Sequence, residues 1–205
     1  DIGAHAGRHT LQFLDIIGTE GFVWAFEPLP PFAEALERDL AGLKRVKIIQ
    51  MALSDSERVS CFKYVENYPG ESGLQERNYN YDGAIIRDIE VRVSSLDIYF
   101  ADNEKNVDFV KIDVEGGEID ILRGATQFFK KNRPIVSIEY GRPSYQPYGN
   151  TSDTLFISAS THDYLISDLF GNIIENIDDW RVICDTAYWD YFLVPVERRT
   201  EWADV

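Results

Sequence analysis

The stretch DIGAHAG, residues 1–7, sets two glycines four apart behind an acid. Gly3 and Gly7 let backbone approach a ligand where a side chain would obstruct it. A helix starting there presents free amide donors. Glu27 follows 20 residues after Gly7, in FEPLP, at the end of an apolar run. A carboxylate at that place accepts both hydroxyls of a ribose. Either feature alone is ordinary: a tight turn, or a surface glutamate before proline. Together they favour a nucleoside ligand.

The dinucleotide pattern G-x-G-x-x-G uses its middle glycine to admit a pyrophosphate. Here the pattern is D-x-G-x-x-x-G, and His5 fills the middle position. A pyrophosphate at close range is disfavoured. S-adenosylmethionine carries no phosphate and needs an acid near its amino group, which Asp1 can supply. A nicotinamide-dependent oxidoreductase is the alternative, weakened by His5 and by the absent third glycine. A non-catalytic nucleoside-binding module is a third reading.

Five segments follow one another in a familiar order: DIGAHAG, FEPLP, ALSD (Ala52–Asp55), SSLD (Ser94–Asp97) and VKIDVEGGEIDILRGA (Val110–Ala125). They resemble the successive motifs of the FkbM-family methyltransferases, class I S-adenosylmethionine-dependent O-methyltransferases. The resemblance runs from Asp1 to about Glu139, and less distinctly to the terminal FLVPV. It implies that Asp1, Gly3 and Gly7 line the methionine and ribose part of the cofactor and that Glu27 holds the ribose. Ala52, Leu53 or Ser54 would lie near the adenine. Asp113 and Glu115 would face the reacting methyl and its acceptor. The family commonly has asparagine where this chain has His5, which is expected to contact the cofactor as well.

Methyl transfer requires an acceptor oxygen held close to the methyl and in line with the carbon–sulfur bond. A sugar or alkyl hydroxyl is a poor nucleophile, so a base should take its proton. DVEGGE supplies Asp113, Glu115 and Glu118. Alternation along an extended segment puts Asp113 and Glu115 on one side. Glu118 is expected in the first turn of the next helix, where its charge suits the dipole. Glu115 is the first candidate for base or acceptor contact, then Asp113. Glu139, in SIEYG, is a third, unless it pairs with Arg142. Three rim acids could hold magnesium, but no pairing demands it, and no metal is expected. Tyr79, Tyr81, Tyr140, Tyr145 and Tyr148, read as loop residues near the rim, could stack on a saccharide. The expected acceptor is therefore the hydroxyl of a sugar or glycosylated metabolite. His9 and His162 read as surface residues, and Asp97 as the cap of a short helix after Ser94 and Ser95.

The elements that must position these groups alternate strand and helix, the mark of a sheet covered on both faces. FVWAF (22–26), VKII (46–49), VDFVKIDV (107–114) and PIVSIEY (134–140) read as strands. Helices are expected over 8–17, after Pro31, over 119–131 and over about 153–160. YLISDLFGNII and YWDYFLVPV read as an antiparallel pair. The expected fold is Rossmann-like: a mostly parallel seven-stranded sheet, with its first strand truncated ahead of Asp1. All 205 residues form one domain, interrupted by a polar loop or lid at about 66–90.

The net charge of −15 disfavours nucleic acid and an anionic membrane surface. No apolar run reaches the length of a membrane span. Two cysteines, Cys61 and Cys184, are too few for a disulfide framework. Both read as buried thiols in a reducing, cytoplasmic compartment. A small molecule or glycan is the expected partner, and the oligomeric state is not legible.

Overall fold

The computed structural model describes residues 1–79, 81–186 and 188–203. Asn80 of the NYNY stretch and the last two residues of the expected domain lie outside them. The chain runs α1 (Arg8–Ile16), β1 (Val23–Phe26), α2 (Pro30–Asp39), β2 (Val46–Ile49), β3 (Ala52–Leu53), β4 (Arg58–Val65), β5 (Ile86–Ser94), α3 (Leu96–Tyr99), β6 (Phe109–Ile112), α4 (Glu118–Arg123), α5 (Thr126–Asn132) and β7 (Ile135–Glu139). It continues α6 (Arg142–Tyr145), α7 (Ser152–Thr161), β8 (Tyr164–Ser167), β9 (Ile173–Ile174), α8 (Ile177–Ile183), β10 (Asp190–Pro195) and α9 (Arg199–Ala203).

The main sheet is mixed. β1 and β2 pair in parallel, as do β6 and β7. Ile2 joins these halves through single parallel bridges to Phe26 on one side and Ile112 on the other. β10 then lies antiparallel between β7 and β8, and β9 pairs antiparallel with β8. The expected antiparallel pair at the end of the chain is present. β7 and β8, both antiparallel to β10, run the same way, so β1, β2, β6, β7 and β8 share one direction and β10 and β9 take the other.

Strand alternation separates two cores. Val23 and Ala25 of β1 pack with Leu14 of α1 and with Leu36 and Leu40 at the end of α2. Trp24, between them, and Phe26, next after Ala25, face the larger cluster of Ile112, Ile119, Leu122, Phe128, Val136 and Ile138. Helices thus cover both faces, as the alternating pattern required. Val136 and Ile138 are fully buried, each stabilising the fold by about 1.5–3 kcal/mol. That burial fixes the register of β7 and so the place where Glu139 emerges.

Expectations for two stretches of the chain needed correction. The helical stripe from Ile119 to Phe128 is two helices. A Cβ on Gly124 would stand 2.3 Å from the Ser54 carbonyl oxygen, so the chain presses against its neighbour there and breaks. Asp97 accepts hydrogen bonds from the amides of Gln127 and Phe128, capping α5, while Ser95 caps α3. The second correction concerns the polar stretch. β4 and β5 form a long antiparallel hairpin from Arg58↔Val93 to Val65↔Ile86, and β3 pairs in parallel with β5. The loop is therefore 66–85, with 86–90 inside β5. Ala52, Phe62, Val91 and Val93 turn one face of this second sheet onto Leu29. Cys61 is exposed on the hairpin, contrary to expectation, and Cys184 is buried. Among the described residues, no helix is long and apolar enough to cross a membrane.

Candidate functional site

A cavity of about 260 Å³ lies at the carboxyl ends of β1, β3, β6 and β7. Its floor is the opening turn. Gly3 has φ +80°, and a Cβ there would stand 1.9 Å from the Asp113 carbonyl oxygen. Only glycine allows the turn to lie against the end of β6. Gly7 (φ +79°) also needs the left-handed region, though an added Cβ would meet only the movable end of the Leu36 side chain of α2, and it precedes α1 rather than lining the cavity.

Glu27 fastens this floor. Its Oε2 accepts the His5 amide at 2.7 Å and its Oε1 the Leu29 amide at 2.8 Å. The carboxylate is buried yet lines the cavity. Burial raises its pKa, against the lowering by the two amides. The His5 ring lies 4.2 Å from that of Phe32. Burial, with Lys111 nearby, outweighs the attraction of Asp113 and lowers the His5 pKa, so the imidazole is neutral at pH 7. Its buried Nε2 has no hydrogen-bond partner among the described residues.

The carboxylates come from the next two strands. β6 ends at Ile112, and Asp113 follows. Lys111 Nζ sits 3.1 Å from Asp113 Oδ2, 3.1 Å from the Gly3 carbonyl oxygen and 3.7 Å from Asp1 Oδ1. Glu115 reaches the same cavity, by a turn rather than by the strand alternation expected: its φ is +62° and that of Gly116 is +116°. Glu139 projects from the end of β7. One carboxylate oxygen from each of Asp113, Glu115 and Glu139 lies within 4.8 Å of the others. Arg77 pairs with Glu115, and Lys111 with Asp113, so two cations already stand against this cluster.

These acids titrate apart. Burial, then the hydrogen bond and charge of Asp113, push Glu139 far above the usual carboxylate range. Burial alone would raise Asp113 too, but Lys111 and the proton donated by Glu139 hold it below its ordinary value. Burial raises Glu115 to about 7, against the opposing charge of Arg77. Such separated titrations are what acid–base work requires.

The other expected residues fall into two groups. Gly3, His5, Glu27, Ala52, Leu53, Asp113, Glu115 and Glu139 all line the cavity. Asp1, Gly7 and Ser54 do not. The Asp1 side chain is fully buried beneath the turn, accepting from Thr10 Oγ1 at 2.6 Å. Ser54 accepts from Arg58 at 3.1 Å and leaves its neighbour Leu53 to face the cavity. Glu118 heads α4, as expected, and its Oε1 accepts the amides of Gly116 and Val114. Arg142 pairs with Asp185, not Glu139.

Of the tyrosines, Tyr148 lines the cavity. Tyr140 and Tyr145 are buried and stacked 4.4 Å apart, with hydroxyls donating to the Thr151 carbonyl and to Asp185. They are scaffold and not a rim surface. His9 lines the cavity, contrary to its surface reading. Sequence reasoning missed Lys111 and Arg77. Lys111 carried a signal, a lone cation inside the apolar run FVKI. Arg77 carried none, because its partner Glu115 is 38 residues away.

The fold and the acid-lined cavity suit a methyltransferase, and comparison with known proteins agrees. Residues 1–181 match the methyltransferase FkbM domain. The chain belongs to the FkbM methyltransferase family. It is 30% identical over 172 residues to methyltransferase sdnD of Sordaria araneosa, covering 70% of this chain and 66% of that protein. It is 26% identical to methyltransferase 1 of Beauveria bassiana (strain ARSEF 2860), covering 60% of this chain and 56% of that one. With 2-O-methyltransferase NoeI of Sinorhizobium fredii (strain NBRC 101917 / NGR234) the identity is 22%, over 67% and 60%. The chain therefore spans less than two-thirds of the length of these relatives. In fold it is similar to a crystal structure of methyltransferase FkbM from Methylobacillus flagellatus KT, with a TM-score of 0.56 and 16% identity, over 94% of this chain and 42% of that one.

Proposed function

We propose that the protein transfers a methyl group from S-adenosylmethionine to a hydroxyl of a sugar or glycosylated metabolite, on a Rossmann-like domain. One observation carries the reading: a single cavity joins the glycine turn and Glu27 to the carboxylates Asp113, Glu115 and Glu139. The unpartnered Nε2 of His5 and the buried carboxylate of Glu27 are the polar groups a nucleoside would satisfy. Gly3, His5 and Glu27 would hold the ribose side, and Ala52 and Leu53 the adenine. When bound, the cofactor supplies an electrophilic methyl on a cationic sulfur.

The chain's own residues do the remainder. Glu115 takes the hydroxyl proton as the oxygen–carbon bond forms and the carbon–sulfur bond breaks, its electron pair leaving with the sulfur. A carboxylate raised to about 7 is matched to that task near neutral pH. Asp113 remains ionised beside Lys111 and offers negative charge to a cationic sulfonium. The neutral Glu139, its proton turned to Asp113, adds no second negative charge there. A relative named as a 2-O-methyltransferase supports a hydroxyl acceptor.

Calorimetric titration with S-adenosylhomocysteine tests the first half of the proposal. Absence of heat from folded protein counts against it. Labelled S-adenosylmethionine with a broad glycan panel tests the second half. Cofactor binding without transfer to any glycan would support the non-catalytic reading instead.

A further inference from the structure

The segment between β4 and β5 is fastened across the cavity at several points. Gly73 pairs with Lys63 through two backbone hydrogen bonds, of 2.8 and 3.2 Å. The Gln75 amide donates to Tyr148 Oη at 3.1 Å, and the Asn78 amide to the Pro143 carbonyl at 3.1 Å. Between them Arg77 turns inward and pairs with Glu115. The two side chains are 9% and 13% exposed, so this ion pair is largely withdrawn from solvent. Pro69, Gly70, Ser72 and Leu74 of the same segment line the cavity.

The pair stands at a constrained place. Glu115 holds a left-handed backbone that a side chain rarely adopts. A Cβ on Gly116 would meet the Ser144 carbonyl at 2.3 Å and the Tyr148 ring at 2.5 Å, so the turn carrying Glu115 is wedged against the residues that receive the segment. Ser144 Oγ donates to Glu115 Oε2 at 3.2 Å. Lys111 is occupied by Asp113 and the Gly3 carbonyl.

We propose that Arg77 is a positioning residue for methyl transfer: by pairing with Glu115 it latches segment 72–79 over the cavity and keeps that carboxylate charged and turned inward. The inference rests on the assignment of Glu115 as proton acceptor. With the segment lifted, Glu115 loses the Arg77 cation and faces Asp113 before it, Glu118 of α4 and Glu139 of β7, with Ser144 of α6 as a neutral donor, so the neighbouring carboxylates favour its protonated form. Closure of the segment therefore converts a proton-holding acid into a base at neutral pH. The acceptor hydroxyl's proton then has a destination only under the closed segment.

The test needs no acceptor. The full chain is labelled with ¹³C at glutamate Cδ, and the Glu115 signal is assigned by its loss in Glu115→Gln. Arg77→Met should move the Glu115 titration midpoint up by about one unit or more, because a cation that favoured the charged form is gone. Arg77→Lys should restore most of that shift. Tyr148→Phe, which loosens the segment without changing charge, should move the midpoint the same way by less. If Arg77→Met does not fold, Tyr148→Phe decides alone. A midpoint that stays at the wild-type value in every folded variant overturns the proposal. S-adenosylhomocysteine heat in the wild type reports separately on the methyl-transfer reading.

Discussion

Asp113 and Glu139 stand side by side at the carboxyl ends of β6 and β7, one residue beyond the parallel pair Ile112 and Ile138, with a carboxylate oxygen of each within 4.8 Å of the other. The pairing follows from register. Two parallel strands that both end in an acid must bring those acids together, and burial forbids both to ionise.

Glu139 should therefore make stability depend on pH. Unfolded, it releases its proton near 4.5; folded, it holds it well above that. A raised pKa contributes stability that is complete below 4.5 and is lost as pH rises toward the folded value. Glu139→Gln abolishes this dependence. The variant should melt higher than the wild type at pH 8, by about 2–4 °C for each 1 kcal/mol gained, and the difference should vanish near pH 4.5. An equal difference at both pH values would show that packing, not protonation, governs.

Glu115→Gln should reduce turnover by about 10²–10⁴ with whichever glycan the wild type methylates. Affinity for S-adenosylhomocysteine should stay within a few-fold. Wild-type kcat should fall as pH drops through about 7, as Glu115 takes up its proton. Equal losses in turnover and affinity would demote the residue to a structural role.

Glu27→Ala should weaken S-adenosylhomocysteine binding by about 1–3 kcal/mol, the cost of losing a buried polar partner. Because Glu27 also accepts the amides of His5 and Leu29, the melting temperature should drop as well. Calorimetry and thermal denaturation read the two effects separately. Unchanged affinity in a folded variant would remove Glu27 from the cofactor site.

Two glycines offer a paired comparison. Gly149 has φ +73° with nothing within 4 Å of an added Cβ, so Gly149→Ala carries left-handed strain alone, about 1–2 kcal/mol. Gly3→Ala adds a collision with the Asp113 carbonyl and should cost clearly more in urea denaturation. Similar losses for both would mean that the turn can retreat from β6.

The parts of the fold that could be read from the sequence were those with a local signal. VKII is β2 to the residue, and FVWAF and PIVSIEY each overrun their strand by one residue at an end or both. The β4–β5 hairpin was hidden because its exposed face carries Asp88, Glu90 and Arg92, which read as loop polarity. Ile89, Val91 and Val93 alternate beneath them, and that period of two was the available clue. The acids of DVEGGE and SIEYG were found by composition and position. Arg77 could not be, since charge pairing across 38 residues is set by how a hairpin folds over a sheet end. Asp1 was misplaced for a related reason. Its type suited a ligand, but Thr10 and Lys111 enclose it beneath the turn.

Glu27 binds two loops with one carboxylate, and this divides the pocket into unequal partners. The base plate, where a nucleoside would rest, can hardly change without unpicking both backbone stretches at once. The canopy formed by 69–79 hangs from a hairpin whose tip can lengthen, shorten or change its side chains while the plate stays put. Evolution or engineering can thus retune what is modified without disturbing how the donor is gripped.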